Sequence, residues 1–186
     1  MEIEKERTVC FTGHRPNKLP INERGPSVVL SAIKSTLYYK ILELAQQGYE
    51  YFITGLAKGV DLWAAEFVIQ VRKSYPNIKL IGVKPFEGHG DDFLGEDLYT
   101  YNNVLCDSDE IICLADKYSS DVYKKRNYFM VDNSSLLVAV VDNYRSGTGQ
   151  TINYARKKGI PVHIINVKDY TDAEKIVTLN KKHKNK

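Results

Sequence analysis

The segment DNYRSGTGQTINYARKKG, residues 142–159, leaves an apolar run, turns through two glycines and enters an amphipathic pattern. The first N–H groups of a helix have no intrahelical acceptor, and the helix dipole favours an anion beside them. Ser146, Gly147, Thr148 and Gly149 are therefore expected to form a phosphate-holding turn. Asp142 ends the strand before it, and Thr151 follows one turn later. GTGQTI (147–152) begins as a dinucleotide fingerprint does, but Ile152 occupies the third glycine position. Too little chain follows to build the nucleotide-binding half that such a fingerprint opens.

Three further segments carry groups suited to the same ligand. TGHRPNKLP (12–20) offers Gly13 for a tight turn, His14 as a donor and Arg15, whose planar fork can donate two parallel hydrogen bonds to a phosphate. ITGLAKGVDLWAAE (53–66) places Gly55 and Gly59 around Lys58, with Asp61 opening the next helix. It lacks the spacing of a P-loop, although its glycines can still form a concave nest of N–H groups. YKKRNYFMVDNSS (123–135) contributes Arg126 and Asn127. KPFEGHGDDF (84–93) holds His89 near Asp91 and Asp92 without a metal-ligand spacing, so no metal site is expected. Trp63 is expected in the core or at an interface.

These segments need a scaffold that brings them to one place. Six short apolar runs recur: TVCFT (8–12), YEYFIT (49–54), IKLIGV (78–83), EIICLA (110–115), LLVAVV (136–141) and PVHIIN (161–166). Near-continuous apolar runs are the mark of parallel strands buried on both faces. Helical patterns lie between most of them. Val29, Ile33, Leu37, Ile41 and Leu44 recur at spacings of three and four and end at Gly48. Asp61 is expected to cap a second helix that stops before Pro76, and further helices are expected around 97–106, 122–132 and 149–158. The alternation predicts an α/β fold, a Rossmann-like open parallel sheet of about six strands with helices on both faces. In such sheets ligands bind beyond the carboxyl ends of the strands. Every segment singled out above follows a strand or lies on a helix between two. One domain is expected over 1–179, with a basic, disordered tail over 180–186.

Composition narrows the partners. Of 186 residues, 43% are hydrophobic and 26% charged, ordinary for a globular domain. The longest apolar run has six residues, far short of the ~20 needed to span a bilayer, so no membrane association is expected. MEIEKERTVC lacks the apolar stretch of a signal peptide, and three unpaired-looking cysteines fit a reducing cytoplasm. Four lysines of NKKHKNK (180–186) account for more than the whole net charge of +3; setting them aside leaves −1 for the remainder. A near-neutral body argues against nucleic acid as a partner.

Taken together, FTGHRPNKL, ITGLAKGVDLWAAE, KPFEGHGDDF and SGTGQTINYARKKGIPVHII resemble the YpsA-like branch of the SLOG superfamily, over about residues 8–167. The resemblance implies a Rossmann-like fold, a bound nucleotide-derived ligand and self-association into a homo-oligomer. It also relates the chain to the DNA-processing protein DprA, through TGLAKGVDLWAA, and to the LOG nucleotide phosphoribohydrolases. In the latter an Arg-Lys pair precedes a PGGxGTxxE turn. Arg126, Gly147 and Thr148 match that pattern; Asn127 replaces the lysine and Thr151 stands where the glutamate belongs. Cleavage of an N-glycosidic bond draws on a carboxylate beside an oxocarbenium-like transition state, which a threonine cannot supply. The resemblance therefore implies a non-catalytic or weakly catalytic nucleotide binder that acts as a sensor, regulator or sequestering protein, with no cofactor. A LOG-like hydrolase using Asp142 or Asp61, and a DprA-like single-stranded DNA binder, are the alternatives.

Overall fold

The computed structural model describes residues 3–19 and 27–171. The chain alternates strands β1 (Thr8–Gly13), β2 (Tyr51–Thr54), β3 (Lys79–Lys84), β4 (Glu110–Cys113), β5 (Leu136–Val141) and β6 (Val162–Asn166) with helices α1 (Val28–Gln46), α2 (Val60–Arg72), α3 (Gly95–Asp107), α4 (Val122–Asp132) and α5 (Gly147–Lys157). All six strands are parallel, in the order β4-β3-β2-β1-β5-β6. The expected α/β sheet is present. The basic segment 180–186 lies outside the described residues.

Side chains alternate across the sheet and build a core on each face. Val9, Phe11, Phe52, Leu80, Val138 and Val140 pack with the buried faces of α1, α2 and α3. Cys10, Ile53, Ile81, Leu137, Ala139 and Val141 pack on the other side with Met130 and Val131 of α4 and Ile152 and Ala155 of α5. The sheet grows outward from β1 in both directions. Its strand order reverses between β1 and β5, and that switch point is where a crevice opens at the carboxyl edge.

Local chemistry sets the helix ends. Ser27 caps α1, accepting a hydrogen bond from the Leu30 N–H at 3.2 Å. Gly48 takes a φ of +89° beyond its last turn, a conformation that glycine adopts without strain. The cap of α2 differs from expectation. Gly59, at φ +87°, holds the N-cap position, and Asp61 lies in the first turn. A side chain at Gly59 would press on Pro16, because the β1 loop crosses directly above. The third and fifth helices begin two residues earlier than their apolar patterns suggest, at Gly95 and Gly147.

Candidate functional site

A cleft of about 150 Å³ lies at the carboxyl edge of β1, β2 and β5. The β1 loop supplies Gly13, His14, Arg15 and Lys18; the β2 loop and α2 supply Ala57 and Asp61. Helix α4 supplies Tyr123, Arg126 and Asn127, and the opening of α5 supplies Ser146, Gly147 and Thr148. Four segments far apart in sequence thus share one cavity.

The α5 end is built as an anion cradle. Ser146 is its N-cap, and its hydroxyl accepts from the Gly149 N–H at 3.2 Å while donating to the Asn143 carbonyl at 2.6 Å. That leaves the N–H groups of Gly147 and Thr148 without acceptors among the described residues. Such groups project beyond the helix end, where the dipole is positive. Gly149 cannot carry a side chain, since a Cβ would collide with the Tyr144 carbonyl. Gly147 has open space at the same point.

At the base of the cleft, two charges meet in the interior. Arg126 and Asp61 are 5% and 6% exposed, with Nη1 and Oδ2 3.3 Å apart. Nη1 also donates to the Gly55 carbonyl, and a Cβ on Gly55 would occupy the guanidinium's place. The Asp61 carboxylate accepts weakly from the Ala57 N–H at 3.4 Å. Burial pushes the Asp61 pKa up despite Arg126, and burial pushes that of Arg126 down despite Asp61. Arg126 Nε is buried without a partner among the described residues. A guanidinium with a spare buried donor at the foot of a cleft has capacity for another acceptor.

His14 ties the β1 loop to the α5 loop. Its Nε2 accepts from the Asn143 N–H at 3.1 Å, which places the proton on Nδ1, 3.4 Å from the Thr148 hydroxyl. A protonated ring would set two N–H groups against each other, and burial lowers the His14 pKa in the same sense. Asp142, half-buried beyond β5, opposes that shift.

The remaining expected residues lie around the cleft. Thr151 is 1% exposed; its hydroxyl donates to the Gly147 carbonyl at 3.0 Å and accepts from Asn127 Nδ2 at 2.9 Å, so it joins α4 to α5. Lys58 turns toward a neighbouring cavity, with Nζ 4.4 Å from the Phe93 ring centroid. Trp63 packs at the edge of the core beneath Lys34. Sequence reasoning missed Tyr123 and Lys18. No spacing rule marks either, and only the crossing of α4 over the β1 loop brings them in. Among the described residues, no group of three or more His, Cys, Asp or Glu side chains is placed to hold a metal ion. No described helix is long and apolar enough to cross a membrane.

The family model described as the YspA SLOG family (YpsA) matches residues 9–170. The chain belongs to this SLOG family. Among its SLOG relatives are UPF0398 proteins of Bacillus. One from Bacillus cereus (strain B4264) is 31% identical over 156 residues, covering 82% of this chain and 84% of its own. Another, from Bacillus thuringiensis (strain Al Hakam), is 30% identical over 154 residues, covering 82% and 83%. Two solved structures share the fold. DNA processing protein A from Helicobacter pylori, a protein with a single-stranded DNA binding mode, aligns with a TM-score of 0.58 and 19% identity over 84% of this chain. DprA from Streptococcus pneumoniae aligns with a TM-score of 0.57 and 17% identity over 86% of this chain. This SLOG chain spans 64% and 50% of those two proteins.

The fold match to a single-stranded DNA binder overturns the expectation that nucleic acid is not a partner. Net charge was the wrong measure. Arg15, Lys18 and Arg126 gather in one cleft, and local charge, not the whole-chain sum, governs phosphate contact.

Proposed function

We propose that this protein holds the phosphate of a nucleotide or nucleotide-derived ligand in the cleft at the carboxyl edge of its sheet, as a sensor, regulator or sequestering protein. The observation that carries the reading is the convergence of two free N–H groups opening α5 with Arg15 and the buried Arg126. Phosphate oxygens accept from such donors, and the helix dipole adds to the attraction. The burial of Thr151 between α4 and α5 favours holding over cutting, because its position offers no carboxylate to the cleft. Calorimetric titration with nucleoside monophosphates, NAD and ADP-ribose tests it. At least one should bind, and its affinity should fall by tenfold or more in Arg15→Ala. Absence of binding by all of them overturns the reading, and release of free base during the titration would replace it with hydrolysis.

A second reading, single-stranded DNA binding, is favoured by the fold shared with DNA processing protein A. The basic side chains of Arg15, Lys18 and Lys58 along one edge support it. Anisotropy with a labelled oligonucleotide should then show affinity that drops steeply with salt and weakens in Lys18→Ala.

A further inference from the structure

His14 anchors the loop that leads into α5. Its ring is 4% exposed and lies between that loop and the β1 loop to which it belongs. Nε2 accepts from the Asn143 N–H at 3.1 Å, and Nδ1 lies 3.4 Å from the Thr148 hydroxyl. Asn143 in turn holds its own loop together. Its carbonyl accepts from the Ser146 hydroxyl at 2.6 Å, and its side-chain oxygen accepts from the Arg145 N–H at 2.8 Å. The Ser146 hydroxyl then caps α5 by accepting from the Gly149 N–H at 3.2 Å. The ring nitrogen that can take up a proton is thus the one from which this loop hangs. An imidazolium has two N–H donors and no acceptor, so it cannot hold the Asn143 N–H.

We propose that His14 gates the cleft: the site holds its phosphate with a neutral ring, and protonation of that ring loosens the hold. The inference rests on the reading of the cleft as a phosphate site and adds its regulation. The Gly147 and Thr148 N–H groups are aimed by the loop that His14 anchors. When the ring is protonated, Asn143 must turn away from it, and the Ser146 cap on α5 shifts with Asn143. Charges on several elements bear on the proton. Burial opposes it most, Lys18 of the β1 loop opposes it further, and Asp142 beyond β5 favours it. Arg15, and the paired Asp61 of α2 and Arg126 of α4, line the same cleft. On charge alone, a bound phosphate would attract an imidazolium. That phosphate already meets Arg15 and the α5 end, and the α5 donors serve it only while the loop is in place. Loop contact and charge therefore predict opposite signs, which makes the gate measurable. Burial puts the change below the ordinary histidine value of 6.5, so the site loosens on the acid side.

The test follows the His14 ring by NMR in the wild-type protein from pH 7 to pH 5, free and saturated with AMP, or with ADP-ribose if AMP does not bind. Linkage is reciprocal: a compound that prefers the neutral-ring form must lower the His14 pKa by as much as protonation weakens its binding. The expected fall is at least about half a pH unit, which is roughly threefold in affinity. In the free protein the Asn143 amide resonance should move together with the ring. Calorimetry at pH 7 and pH 5 is the second arm. The phosphate of AMP loses its own second charge near about pH 6 whatever holds it, so wild type is compared with His14→Gln. The glutamine amide can accept from Asn143 or donate to Thr148 without titrating. Wild-type affinity should fall by roughly threefold or more beyond the fall in His14→Gln. If that variant does not fold, the wild-type ring titration decides alone. A His14 pKa that rises or stays constant on saturation overturns the gate and leaves the phosphate site standing, as do equal losses in the two proteins. Failure of both compounds to bind at pH 7 overturns the phosphate reading, and the gate with it.

Discussion

Arg126 of α4 and Asp61 of α2 reach each other over the end of β2, Nη1 to Oδ2 at 3.3 Å, from helices that belong to opposite layers of the sheet. Each is an ion withdrawn from water, and each is tolerable only because the other is there. The contact also fixes the floor of the cleft, because the same guanidinium holds the Gly55 carbonyl.

Arg126→Met should therefore lower stability by about 3–5 kcal/mol, the usual cost of leaving one buried charge alone. The Arg126→Met/Asp61→Leu double variant should recover much of that loss. In the single variant the Asp61 carboxyl, already pushed up by burial, loses its counter-charge and takes up a proton more readily. Folding then favours the protonated acid, so the penalty should shrink as pH falls. Urea unfolding at pH 7 and pH 5 measures both effects.

Burial lowers the His89 pKa to about 4 from its ordinary 6.5. Between those values the unfolded chain binds a proton that the folded chain refuses, so stability declines as pH drops through that window. His14 and His163 are shifted in the same direction, also by burial, and steepen the slope. His89→Gln keeps a donor for the Leu56 carbonyl but cannot titrate. Denaturant midpoints recorded between pH 7 and pH 4 should fall less steeply in that variant than in wild type.

The glycines that open α5 are not equivalent. Gly149→Ala drives a methyl into the Tyr144 carbonyl and should cost about 1–3 kcal/mol. Gly147→Ala meets open space on a helical backbone and should leave stability unchanged or raise it by up to about 1 kcal/mol. Thermal melts of the two variants side by side decide the point.

Thr151→Val removes a hydroxyl that joins Asn127 to the first turn of α5, while preserving shape. The expected loss is about 1–2 kcal/mol of stability. Ligand affinity, read by titration, should change by less than threefold, since Thr151 is a strut behind the cleft.

The sheet was legible because its strands are apolar on both faces and its helices repeat at three and four. Gly13, Arg15, Arg126, Gly147 and Thr148 were legible for another reason: in a parallel sheet, the loops leaving the strands all emerge at the same edge. The Asp61–Arg126 pair was not. It joins residues 65 apart, and no local pattern encodes which loops meet when two layers close over an edge. Asp61 carries the side chain of a helix cap, yet Gly59 takes that position because the β1 loop packs too closely for any other residue.

The strand order leaves one margin of the sheet uncommitted. The cleft draws on the loops after β1, β2 and β5, which occupy the middle of the sheet, and on α4, which follows β4, while β6 at the other margin contributes no residue to it. The β6 flank is therefore free ground. A lineage can vary it, or an engineer can attach a reporter beside it, without redrawing the cleft.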